Sequence, residues 1–172
     1  MPGVKTLADA RQKLTILTVP PADINAITLV ELTAGIDASC QVAKNGTRFS
    51  ATASNTVSDP AYCDEVEVQE YGASNYEASI SPYWYLDPLT GKYDITDNPV
   101  YEAAREKGTR LTYVHRDGPK YDLPWEAADI YDAYEAVSDN PQRPSESGAN
   151  VKRMIPLSVH RAALHKPVVT GV

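Results

Sequence analysis

The apolar positions of this chain fall mostly at strand spacing. Lys13 to Val19 alternates and is β-branched, which predicts a short strand or extended arm closed by Pro20-Pro21. From Asp23 to Thr33 the apolar residues Ile24, Ile27, Leu29, Val30 and Leu32 suit either a short helix or a docked extended segment. Ile36 to Ala43 and Arg48 to Ser54 read as two strands of a hairpin. Asn45-Gly46 lies between them, a pair that tolerates the positive φ of a type I′ turn. Residues 55–60 carry loop chemistry. Glu65 to Tyr71 alternates strictly, with Val66 and Val68 on one face and Glu65, Glu67 and Gln69 on the other. Asn75 to Leu86, Thr109 to Arg116, Ala128 to Val137 and Val151 to His160 predict four more strands, and residues 164–172 a tail.

One helix stands out, from Pro99 to about Lys107. Asp97-Asn98 offers an N-cap, Pro99 suits the first helical position, Arg105 and Lys107 favour the negative end, and Gly108 suits the stop. Val100, Ala103 and Ala104 give it a narrow face for lying on a sheet. Residues 139–150 hold two prolines and a glycine without periodicity and predict a long exposed loop. The fold class is therefore mainly β: a β-sandwich or barrel with one short flanking α-helix. Its organisation is an extended N-terminal arm over 1–30 and a single β domain over 31–172.

Composition changes this picture in two places. The aromatics are 11 Tyr, 2 Trp and one Phe, a bias that suits strands and also half-exposed contact surfaces. The net charge of −7 is unevenly spread: residues 1–20 sum to +2, residues 151–172 to +4, and the middle to −13. Basic ends on an acidic body suit a molecule whose ends reach onto a neighbour. No basic cluster interleaves with aromatics, which disfavours a nucleic-acid-binding face. No stretch approaches a membrane span and no signal peptide is recognisable. Cys40 and Cys63 are expected to be reduced, partly buried thiols, with a disulfide between neighbouring strands as the alternative.

Catalytic chemistry is hard to find. His115, His160 and His165 match no zinc spacing, and the two cysteines form no C-x-x-C. No G-x-S-x-G marks a nucleophile elbow and no glycine-rich loop cradles a phosphate. Glu65 and Glu67 are better read as a solvated strand face than as a glycosidase pair. No enzyme activity and no cofactor are expected. Tyr83-Trp84-Tyr85 is the one aromatic run that a carbohydrate- or host-surface-binding module would use.

The basic leader, the segment Leu29-Val-Glu-Leu-Thr-Ala-Gly-Ile-Asp-Ala-Ser-Cys40, the Asn-Gly turn with its Ser/Thr-rich strand, the Asp139-Asn-Pro-Gln-Arg-Pro loop and the close from Val151-Lys-Arg-Met-Ile-Pro together resemble the major tail proteins of long, flexible-tailed phages of actinobacteria. The resemblance covers most of the chain and carries no catalytic residues. It implies a tail-tube fold whose subunits close into rings, normally hexamers. The rings stack around a tape-measure protein, between neck and tail-tip proteins, and genomic DNA passes down the lumen. It implies localisation in the virion tail, with assembly in the host cytoplasm. A head-decoration or tail-completion protein is the alternative of the same class.

Two sets of site residues follow. Leu14, Ile16, Leu17 and Val19 are too apolar for solvent and are cut off from the body by Pro20-Pro21, so they are expected to dock on a subunit of the adjacent ring. Glu65 and Glu67 point away from the core, toward the lumen or the outer surface.

Overall fold

The computed structural model describes residues 7–63, 65–66, 69–144 and 149–171. Nine strands and two short helices follow one another among them: β1 Gln12–Leu17, α1 Leu29–Ala34, β2 Ile36–Asp37, β3 Arg48–Thr52, β4 Thr56–Ser58, β5 Gln69–Tyr71, β6 Asn75–Ile80, α2 Pro99–Ala104, β7 Arg110–Asp117, β8 Ile130–Ser138 and β9 Ile155–Pro167. Seven strands form one antiparallel sheet in the order β2-β1-β7-β8-β9-β6-β3, and among the described residues β4 pairs only with β5. The mainly β fold class holds.

The large sheet curls onto itself. On a flat sheet β3 would lie about 19 Å from β7, four strand spacings away. Instead Phe49 on β3 stacks at 5.0 Å on Tyr113 of β7 and at 5.5 Å on Tyr134 of β8. The enclosed core gathers Leu14 and Ile16 of β1, Ala78 and Ile80 of β6, Tyr113, and Ile155 and Leu157 of β9. Val100 and Ala104 of α2 join it, the small-residue face read from the sequence. The outer face of β1, β7 and β8 is covered by a second core. There Leu17, Val114, Tyr131 and Ala133 meet Ile24, Ile27 and Leu32 from the α1 region, together with Trp125 and Val168. A strand buried on both faces gains from nearly every side chain, and β1 is such a strand.

Local chemistry explains most of the elements. Thr28 and Glu31 form a reciprocal capping box that starts α1. Pro99 opens α2 as expected, but Asn98 does not cap it through its side chain. The buried Asn98 amide instead accepts from Tyr85 N at 2.8 Å and donates to the carbonyls of Tyr85 and Asp94. β9 runs 13 residues because it absorbs two register shifts against β8. At one of them His165 takes φ +54, and its N–H donates to Asp132 Oδ1 at 2.6 Å. This bulge carries the strand through the segment that was expected to be a tail.

Several expectations are corrected. The Asn45-Gly46 turn does not join paired strands: β2 ends at Asp37 and pairs with β1, while β3 pairs with β6. Asp37 halts β2 by accepting from Ser39 N and Oγ and from Lys13 Nζ. Gly46 still needs to be glycine, since its φ is +95 and a Cβ there would stand 2.7 Å from Ser81 Oγ. Residues 65 and 66 form a bend rather than a strand, and Val66 is exposed. Segment 56–58, read as loop, is a strand. The N-terminal arm of 1–30 is no arm from residue 12 to 17, because β1 sits between β2 and β7. Both cysteines are free and exposed rather than partly buried.

Candidate functional site

The β4–β5 hairpin leaves the body at the Thr52–Asn75 end of the β3–β6 ladder. Asn55 closes its base, accepting from Gly72 N at 2.7 Å and donating to Ala73 O at 3.3 Å. All six residues of β4 and β5 are exposed, including Val57 and Tyr71. The connection between them exposes Tyr62 completely, and Val66 largely. A two-stranded ribbon has no core of its own and is marginal in water. This one shows four apolar or aromatic side chains to solvent, which makes it a candidate contact surface. The hairpin is also acidic, since no Lys or Arg occurs between Arg48 and Lys92.

A solvent-open cavity of about 610 Å³ lies at the other end of the ladder, where β3, β1 and β8 begin and β7 ends. Leu14, Val42, Phe49 and Tyr134 give it apolar walls, and Cys40, Lys44 and Arg48 stand among its lining residues. His115 packs against Phe49 at 4.7 Å, and its Nε2 is enclosed without a hydrogen-bond partner among the described residues. Burial pushes the His115 pKa down to about 4, against the opposing pull of Asp117 and Asp132.

A group whose folded pKa lies below its unfolded value of 6.5 binds its proton more readily when unfolded. His115 therefore supports the fold fully above pH 6.5 and loses that support as pH falls toward 4, by up to roughly 3 kcal/mol. Urea unfolding across this window is expected to show a slope that His115→Asn flattens; equal slopes would contradict it. Asp37 acts in a lower window. Burial raises its pKa, but hydrogen bonds from Ser39 and Lys13 outweigh this and hold it below the usual carboxylate value of 3.8.

The hairpin and the cavity thus lie at opposite ends of the β3–β6 ladder. A family model for the phage tail tube protein matches residues 1–172. The chain belongs to the phage tail tube protein family. It is a phage tail structural protein, found in the virion tail. No curated protein matches it. Among solved structures, a chain of the anti-feeding prophage baseplate, a six-fold symmetrised cryo-EM structure, is similar with a TM-score of 0.51 at 11% identity, covering 93% of this chain and 95% of that one. At that identity the likeness is one of fold.

For this tail tube protein the sequence-derived residues fall as follows. Leu14, Ile16 and Leu17 are buried within their own subunit, so these three are not available for a contact between rings. Val19 alone of the four stays exposed. Glu65 is exposed in the hairpin connection; Glu67 lies outside the described residues. Trp84 packs on Tyr93 at 4.3 Å and on Tyr101 of α2 at 5.0 Å, with the Arg153 guanidinium 4.3 Å from its ring centre. That aromatic run binds α2 to the approach of β9 rather than forming a sugar platform. Among the described residues, no three His, Cys, Asp or Glu side chains could hold a metal ion together, and no helix is long and apolar enough to cross a membrane. The hairpin and the cavity were both missed in the sequence. The absence of cations between Arg48 and Lys92, with Tyr62 and Tyr71 in that stretch, was the available signal.

Proposed function

We propose that this chain is the repeating subunit of the tail tube of a long, flexible-tailed actinobacterial phage, and that it closes into hexameric rings that stack around a tape-measure protein and later conduct DNA. The exposed β4–β5 hairpin carries the reading, as the element that joins one ring to the next. Burying Val57, Tyr62, Val66 and Tyr71 would contribute on the order of 6 kcal/mol per subunit before ordering costs. Repeated around a ring, that suffices to favour stacking. Six-fold closure is supported by the fold shared with a chain of a six-fold symmetrised baseplate. The sheet has unlike edges, the two-residue β2 and the five-residue β3. Unlike edges suit the head-to-tail contact that closes a ring and covers exposed strand groups. The actinobacterial host and the tape-measure, neck and tail-tip partners rest on the sequence resemblance.

Replacing residues 56–71 with a short glycine linker from Asn55 to Gly72 tests this. The shortened protein is expected to keep its circular dichroism and urea midpoint, yet to form no tubes in negative-stain images where the full chain does. Tubes of normal width from the shortened protein would overturn the role of the hairpin.

A further inference from the structure

Half of the curled sheet has an outer face without a core of its own. The inward residues enclose the first core, and the second core covers the outer face of β1, β7 and β8. Among the described residues no hydrophobic cluster forms on the outer face of β9, β6 and β3. Strand pleating sets Phe49, Ala78 and Leu157 inward, so the residues out of phase with them point out. These are Ser50 and Thr52 on β3, Glu77 and Ser79 on β6, and Ser158 on β9. They are short, or their charge is matched: Arg48 on β3 reaches Glu77 across the ladder at 3.4 Å. At the β7–β8 margin of the same face, Arg110 and Arg161 close on the nearly buried Glu135 at 3.1 and 3.6 Å, with His160 Nδ1 3.5 Å from Arg110 Nη2. No exposed large apolar side chain lies on this face, although they occur on the hairpin, on α1 at Val30, and on the 85–95 loop at Leu89 and Ile95.

The contrast sorts the surface. A subunit held by neighbours on several sides hides its exposed apolar groups in those contacts. A sheet face without such groups stays in water. DNA is gripped by cations that displace its counterions and by rings on which its bases stack. This half-sheet offers no exposed ring, and its three guanidiniums are each held against a carboxylate. The β3–β6 ladder also leads straight into the β4–β5 hairpin. If that hairpin joins one ring to the next, the face runs along the tube.

We infer that the outer face of β9, β6 and β3 is the wall of the lumen, a surface that lets DNA slide past. The inference rests on the tube reading above and adds the side of the subunit that faces the channel.

Size-selective labelling tests it. Ser50→Cys and Ser158→Cys are made singly in the full chain. Free subunits and assembled tubes are treated with N-ethylmaleimide, or with a maleimide coupled to serum albumin, which cannot enter a narrow bore. The fraction of each cysteine consumed is read by mass spectrometry after digestion, so Cys40 and Cys63 can stay. In free subunits both reagents are expected to consume the new thiol. In tubes N-ethylmaleimide is expected to consume it still, while the albumin conjugate loses its reaction except at tube ends. A conjugate that labels along the tube would place the face outside and overturn the inference, with the tube reading intact. A thiol closed to both reagents in tubes, or a variant that stays monomeric where the parent polymerises, would place the face in a contact between subunits and overturn it too. A parent chain that forms no tubes under any condition would sink the tube reading and this inference with it.

Discussion

Removing residues 1–19 is expected to unfold the subunit. β1 is the second strand of the sheet, paired with β2 on one side and β7 on the other. It places Leu14 and Ile16 in one core and Leu17 in the other. Burial of three such side chains contributes about 5–9 kcal/mol, comparable with the whole stability of a typical domain. Polar groups would be orphaned too: Trp125 Nε1 donates to Thr15 Oγ1 at 2.9 Å, and Lys13 Nζ bridges Asp37 and Tyr121 O. Far-UV circular dichroism of the truncated chain should show loss of the strand signal. The point variant Ile16→Ala, read by urea unfolding, should cost about 2–5 kcal/mol. A truncated protein with the parent spectrum and midpoint would mean that β1 is a detachable arm after all.

The second large effect is expected at Arg116. Its side chain is 1% exposed and holds the segment between β7 and β8 like a hub. Nη1 donates to Asp129 Oδ2 and Pro124 O, both at 2.7 Å, and Nη2 to Lys120 O at 2.9 Å and Leu123 O at 3.1 Å. The guanidinium also lies 5.1 Å from the centre of the Trp125 ring. Arg116→Met would leave the Asp129 carboxylate, 15% exposed, without its cation and three carbonyls without their donor, and is expected to cost about 3–5 kcal/mol. Adding Asp129→Asn should restore part of that, since the second change removes the uncompensated charge. Urea midpoints of the two single variants and the double variant measure the coupling, and Trp fluorescence should report the loosened Trp125. A cost under about 1 kcal/mol would show that the loop holds itself without Arg116.

The parts of this fold that were legible in the sequence are those whose signals are local. α2 announced its start through Pro99, although it ends at Ala104, short of the stop expected at Gly108, and β7 and β8 announced themselves through long β-branched and aromatic runs bounded by turn residues. α1 was within reach as well, since Thr28-x-x-Glu31 is a capping box, but its short apolar run fitted two periods. Pairing was less legible. The Asn45-Gly46 turn is a genuine local signal, and yet the strands that complete the sheet beside β2 and β3 come from residues 12–17 and 75–80, through contacts that no short window contains. The assembly surface was read least well, for a physical reason. Alternation reports burial, and Glu65 to Tyr71 was assigned an inward face in its own subunit. In the folded subunit β5 is exposed throughout, and so is Val66 before it, so the alternation there does not report burial within the chain. The converse held for Leu14, Ile16 and Leu17, whose apolar character serves the subunit's own core despite the proline pair behind them.

The place of β1 has a consequence for the order of events on the ribosome. Leu14 pairs with His115, about a hundred residues later in the chain. At about 5–20 residues per second, β1 emerges some 5–20 s before its partner strand exists. Val168 completes the second core, and the end of β9 follows the same schedule, so folding waits until residues 155–168 have left the exit tunnel. Until then the two cores stay open, and any contact that depends on the finished sheet waits for β9.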